Sequence, residues 1–231
     1  MTRQTMIDAA RRKEPRSRIY GIGICKSAGE FVDYEIGLDD YERDVQWAKA
    51  QLNRGGVGPG DHVLITTPNH ELAVTSALVK ALRQIGATYT PAETYGWDAS
   101  RFTSVLETLP ITVVIAVGGE TLSAVAAQQP DLSKVFADVR LTWARPDAHA
   151  QLKAANVKSQ AMALLGPALA LADPDTPDQL VVNAAEWSVR ELDGRLLVSS
   201  TDVRYAPVVD VVADVKGRIV GQSDSEIRIQ L

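Results

Sequence analysis

The chain has 231 residues, 45% of them apolar and 23% charged. That is ordinary globular composition, long enough to bury roughly 70% of the unfolded surface, and it excludes intrinsic disorder as the main state. The 24 basic residues against 29 acidic ones leave a net charge of −5, which argues against a nucleic-acid partner.

Residues 1–18 are polar and carry the one dense basic run (Arg11, Arg12, Lys13, Arg16, Arg18), so they read as a solvated arm. Ile19–Cys25 and Phe31–Gly37 read as two short strands around the turn-like Lys26-Ser27-Ala28-Gly29-Glu30. A helix follows, capped by Asp39 or Asp40, with Tyr41, Val45, Ala48 and Leu52 at helical spacing and Gly55-Gly56 at its end. Strands are then expected at Val63–Thr66, Thr88–Thr90, Thr112–Val117 and Val139–Thr142. Helices alternate with them at Glu71–Ile85, Asp98–Leu109, Glu120–Gln128 and Ala148–Ala155. That alternation predicts a mostly parallel sheet with flanking helices over residues 19–172, an α/β fold. Beyond Pro174 six segments are strand-like: Leu180–Val182, Trp187–Leu192, Arg195–Ser200, Val208–Val215, Arg218–Val220 and Ile227–Leu231. Asp193-Gly194 is a hairpin signal between two of them. A β-rich subdomain over residues 173–231 is therefore expected, with a seam near Ala172–Asp178.

Cys25 is the sole cysteine, so no disulfide or cysteine-based metal site forms within the chain. His62, His70 and His149 lack zinc-ligand spacing. No apolar run reaches the ~18 residues of a membrane span, and the first residues lack an apolar signal region. A soluble, cytoplasmic protein without a metal is the expectation. Trp47, Trp143 and Trp187 read as core, whereas Trp97 in Tyr95-Gly96-Trp97-Asp98 reads as lining a pocket or an interface.

Several segments occur in a telling order. They are DDYERDVQWA, GGVGPGDHV, an apolar helix ending IGA, TPAETYG with Arg101 after it, ITVVIAV, LLGPALALAD, EWSVRELDGRLLVSST, RYAPVVDVVADV and GRIVGQSDSEIRIQL. In that order the sequence resembles the phenylacetate–CoA ligase branch of the adenylate-forming superfamily. The resemblance spans residues 19–231 and implies the large N-terminal domain of those enzymes without the lid domain. GRIVGQSDSEIRIQL would fall where they hinge into the lid.

The adenylation motifs match poorly. Where the family has Ser-Gly-Thr-Thr-Gly-Lys-Pro, this chain reads Cys25-Lys26-Ser27-Ala28-Gly29-Glu30-Phe31. A glutamate beside a polyphosphate is repulsive. No Thr-Glu of the Mg²⁺-binding motif precedes Gly166-Pro167, and the ribose motif survives only as Asp214. The resemblance thus implies a scaffold that uses neither ATP nor Mg²⁺.

What the resemblance leaves is an acyl or aryl pocket. It would be lined by Thr67, Pro68, Asn69, His70 and Glu71, by Val117-Gly118-Gly119 and by Leu165-Gly166-Pro167, with Trp97 near. His70 sits at a strand-to-helix junction as a candidate base tuned by Glu71, and Cys25 is a candidate acyl acceptor. Asp214 marks the vestigial ribose position. Two readings follow. One is an ATP-independent binder or catalyst for an aryl or acyl carboxylate or its thioester, in secondary metabolism by family analogy. The other is a non-catalytic partner of a biosynthetic enzyme or carrier protein. A homodimer would cover exposed apolar surface in either case.

Overall fold

The computed structural model describes residues 18–92 and 95–231. The expected arm up to residue 17, and Glu93-Thr94 of the TPAETYG segment, lie outside the described residues.

β1 (Ile19–Ser27) and β2 (Glu30–Gly37) form an antiparallel hairpin. α1 (Leu38–Arg54) follows directly. Asp40 does not cap it from outside: Gly37 precedes the helix, and the Asp40 carboxylate accepts the Gly37 N–H at 2.9 Å from inside the first turn. Next come β3 (His62–Ile65), a 3₁₀ turn (Asn69–Glu71), α2 (Leu72–Ile85), β4 (Thr88–Pro91), α3 (Ala99–Thr108), β5 (Val113–Val117), α4 (Gly119–Gln128) and the short α5 (Leu132–Val135). β6 (Leu141–Ala144) and α6 (Pro146–Ala154) complete the alternating part. α2 stops at Gly86, whose φ of 88° is left-handed, a C-terminal conformation that glycine adopts without strain.

The remaining elements are β7 (Gln160–Leu165), β8 (Ala168–Asp173), β9 (Thr176–Asn183), β10 (Trp187–Leu192), β11 (Arg195–Ser200), β12 (Val211–Val212), β13 (Arg218–Gln222) and β14 (Glu226–Gln230). Nine strands share one sheet in the order β13-β14-β9-β8-β7-β6-β5-β3-β4. The pairs from β4 to β7 are parallel, and those from β7 to β13 are antiparallel. The architecture is α/β with one large mixed sheet, parallel through the helix-flanked part from β4 to β7 and antiparallel through the β-rich C-terminal part.

The place expected for a seam, residues 172–178, is the turn between β8 and β9, two neighbours inside that sheet. β7 and β8 were not foreseen as strands. QAMALL and ALALAD are buried almost throughout, and a strand covered on both faces shows no alternation to read. The strand expected over Val208–Val215 shrinks to Val211–Val212. Just before it, Asp210 takes a left-handed φ of 52° and its carboxylate holds Arg190 at 2.8 Å. GRIVGQSDSEIRIQL, placed by resemblance at a hinge, is the β13–β14 hairpin, with β14 in register against β9. Asp193-Gly194 forms the expected turn, both residues at positive φ.

Strand alternation divides the core. Val63, Ile65, Val113, Ile115 and Trp143 pack with Val45, Leu52, Leu78 and Leu82 of α1 and α2. Leu64, Val114 and Ala144 pack instead with Phe102, Leu122 and Leu152 of α3, α4 and α6. A third cluster joins the hairpin (Tyr34, Ile36) and the β10–β11–β12 sheet (Trp187, Val189, Val198, Val211) to Ala163, Ala170 and Ile229. Trp143 and Trp187 are buried as expected, and Trp47 is half-buried.

One charge cluster fastens this third layer. The Arg204 side chain is 4% exposed, and its guanidinium donates to Asp44 at 2.9 Å and to Glu186 at 3.1 Å. Arg43 reaches the same Glu186 and donates to Asp40 at 2.7 Å. Asp40 in turn accepts the Tyr205 N–H at 3.2 Å. Arg204 also lies 4.2 Å over the Trp187 ring. Replacing Arg204 with Met strands buried Asp40 and Glu186 beside less positive charge. The expected loss is about 3–5 kcal/mol, read from the urea midpoint. Lys153→Met, which breaks an exposed pair with Asp178, is expected to cost no more than ~1 kcal/mol.

Candidate functional site

The β1–β2 hairpin turns back through Ala28 and Gly29 alone, at φ of 51° and 92°, with Ser27 facing Glu30. Ser27 Oγ accepts the Val212 N–H at 2.9 Å, which ties the hairpin tip to the C-terminal layer. Behind the hairpin lies a cavity of about 240 Å³. Ile24, Phe31 and Leu164 supply apolar wall, and Lys26, His70, Glu71, Arg145 and Asp214 supply polar groups. Cys25 and Gly166 complete it.

Five of the residues singled out in the sequence, Cys25, His70, Glu71, Gly166 and Asp214, therefore meet in one place. His70 and Glu71 come from the 3₁₀ turn that leads into α2. Gly166 sits at a φ of 58° between β7 and β8, where a Cβ would lie 2.5 Å from Val211 Cγ1 and 3.9 Å from Cys25 Sγ. Glycine is required there by both the backbone and the close approach.

Glu71 does not serve His70. Its carboxylate is ion-paired with Arg145, each side chain only 16–17% exposed. Arg145 was not foreseen. Its one local signal is its place between β6 and Pro146, the first residue of α6. Burial pushes the Cys25 thiol up, and the carboxylates of Asp214 and Asp33 add to the shift. That environment disfavours the thiolate an acyl acceptor needs. Tyr34, on β2, has its hydroxyl buried without a partner among the described residues, and burial raises its pKa as well.

The other expected residues lie elsewhere. Pro68 accepts the Glu71 N–H at 3.0 Å and shapes the 3₁₀ turn. Asn69 and Thr67 open onto a different groove. Gly118 precedes α4, and Gly119 begins it against α6, where a Cβ would lie 2.5 Å from the Asp147 carboxylate. Neither lines the cavity. Trp97 is 80% exposed and stacks on Tyr95 at 5.7 Å. Among the described residues no group of three His, Cys, Asp or Glu side chains is placed to hold a metal ion. No helix among them is long and apolar enough to cross a membrane.

No protein-family model and no curated protein matches the sequence. Solved structures do match the fold. An open conformation of 2-hydroxyisobutyryl-CoA ligase, in complex with 2-HIB-AMP and CoA, superposes with a TM-score of 0.69 at 13% identity, over 94% of this chain and 56% of that one. The anthranilate CoA ligase AuaEII gives 0.60 at 13% identity, over 91% and 46%. The o-succinylbenzoate CoA synthetase MenE of Bacillus subtilis gives 0.58 at 11%, over 92% and 49%. The chain spans about half the length of these structures. Identities this low carry the fold alone. The chain has the fold of the N-terminal domain of the adenylate-forming acyl-CoA ligases.

Proposed function

We propose that this chain binds a small aryl or acyl carboxylate, or its thioester, without using ATP or Mg²⁺. The two-residue hairpin turn carries this reading. A phosphate cradle needs a loop of free backbone N–H groups, and here the strands pair up to Ser27 and Glu30. The cavity supports a small ligand. At about 240 Å³ it falls below the ~300–1,000 Å³ of drug-sized sites. Its apolar wall suits a ring or short chain, and Lys26 beside the Phe31 ring offers a cation for a carboxylate.

If the bound thioester reacts, His70 is the base within the lining, acting on water or an incoming nucleophile in preference to the protonated Cys25 thiol. A partner-protein reading rests on a separate observation. Trp97 is 80% exposed, a large aromatic side chain suited to contact with another protein.

A melting panel of benzoate, phenylacetate, their CoA thioesters and Mg-ATP tests the proposal. An acid or thioester at 100 times its Kd is expected to stabilise by about 2.7 kcal/mol, and Lys26→Met to remove the shift. A shift with Mg-ATP instead would overturn the reading. No shift with any compound would favour the partner protein.

The thiol gives an independent check on the cavity. Because the thiolate is the reactive form and its pKa is raised, alkylation of Cys25 is expected to be slower than that of a free thiol at pH 8. It should accelerate only above the ordinary thiol range. Asp214→Asn removes one of the charges that raise the pKa, and so should speed alkylation at fixed pH.

A further inference from the structure

We propose a second ligand site, in the groove between β1, α2 and β4, that takes an amphipathic carboxylic acid with a large apolar body and holds its carboxylate on Arg83. The groove has about 1000 Å³ and shares no lining residue with the 240 Å³ cavity. The turn at Asn69–Glu71 divides the two: Asn69 opens onto the groove, His70 and Glu71 onto the cavity.

One wall is a preformed aromatic plate. Tyr20 and Tyr41 stack 3.7 Å apart and within 5° of parallel. The Tyr20 hydroxyl donates to Ser76 Oγ at 2.9 Å, so the plate is fixed before any ligand arrives. A rigid wall lowers the ordering cost of binding. Ile65, Val79, Tyr89 and Pro91 supply further apolar lining. Ile22 and Leu72, 52% and 46% exposed, border the same groove, so apolar side chains left to solvent converge on it.

Charge selects the head group. Among the described residues no Asp or Glu lines the groove. Lys80 is already engaged, paired with Glu42 and 5.1 Å over the Tyr41 ring. Arg83, in the last turn of α2, has no partner among the described residues. A guanidinium without a partner among the described residues, beside an apolar trough, recognises an acid. A saturated chain and a fused aromatic ring system offer the same chemistry.

The test is calorimetric titration of the full chain with laurate, with 2-naphthoate and with the uncharged dodecanol. Saturable one-to-one binding of at least one acid is expected, and laurate alone or naphthoate alone would identify the body. Arg83→Met is expected to weaken the acid about tenfold and to leave the alcohol unchanged. Leu72→Glu, at an exposed position, is expected to abolish acid binding without lowering the melting temperature. Arg145→Met, in the smaller cavity, should leave it intact. A purely structural Arg83 at the helix end would lower the melting temperature without changing the acid-to-alcohol ratio. That result, no saturable binding by either acid, or loss of binding in Arg145→Met instead of Arg83→Met, would overturn the proposal.

Discussion

The geometry of the smaller cavity depends on a few charges that water barely reaches. Arg204, Asp40 and Glu186 have side chains only 2–4% exposed, and together with Arg43 and Asp44 they link α1 to the β9–β10 turn and the loop after β11. Burying such groups is costly, and the cost is met only when every partner is in place. Burial pushes Asp44 up, and the Arg204 guanidinium beside it opposes that shift. The cluster therefore admits one docking of the C-terminal layer and resists slippage. That docking brings Val211 against Gly166 and the Val212 N–H onto Ser27, and sets Asp214 in the cavity wall. A set of charges on the far side of the layer thus helps to define the shape of the site.

Local chemistry was legible where a single residue type forces a conformation. Asp193-Gly194 turned as its positive φ angles demand, and all of TVVIAV but its first residue became the fully buried β5. β7 and β8 escaped because burial on both faces erases the two-residue period. Val208–Val215 misled for the opposite reason. Its β-branched residues favour a strand, but Arg190 and Ser199 hold Asp210 in a loop. The site followed the same division. Gly166 and His70 were readable from turns and junctions. Arg145 was not, because its partner Glu71 is 74 positions away and the pair exists only once β6 and the 3₁₀ turn are brought together. Gly118 and Gly119 looked like pocket glycines and instead sit where α4 begins against α6.

The 3₁₀ turn at Asn69–Glu71 has an outsized place in this arrangement. Three residues between β3 and α2 face two different environments, one charged and small, the other aromatic and wide. Hydrogen bonds and the Glu71–Arg145 ion pair hold the turn. The Glu71 N–H reaches Pro68, and the Thr75 hydroxyl donates to the Glu71 carbonyl at 3.0 Å. No buried apolar side chain anchors it, since none of its three residues is buried. Low local packing of this kind marks segments that open more readily than the core around them.

The hairpin at Ala28-Gly29 also constrains what this scaffold can become. A lysine at position 30 would not turn it into a phosphate cradle, because the backbone on either side is already committed to cross-strand pairing. Only a longer loop would free those groups, so that route requires inserted codons, not a point substitution. An odd insertion within either strand would also invert the faces beyond it. Tyr34 and Ile36, both buried, would then turn outward while their exposed neighbours turned in. Lengthening would be tolerated only at the tip itself, so the loop there is evolvable in length while the strands that carry it are not.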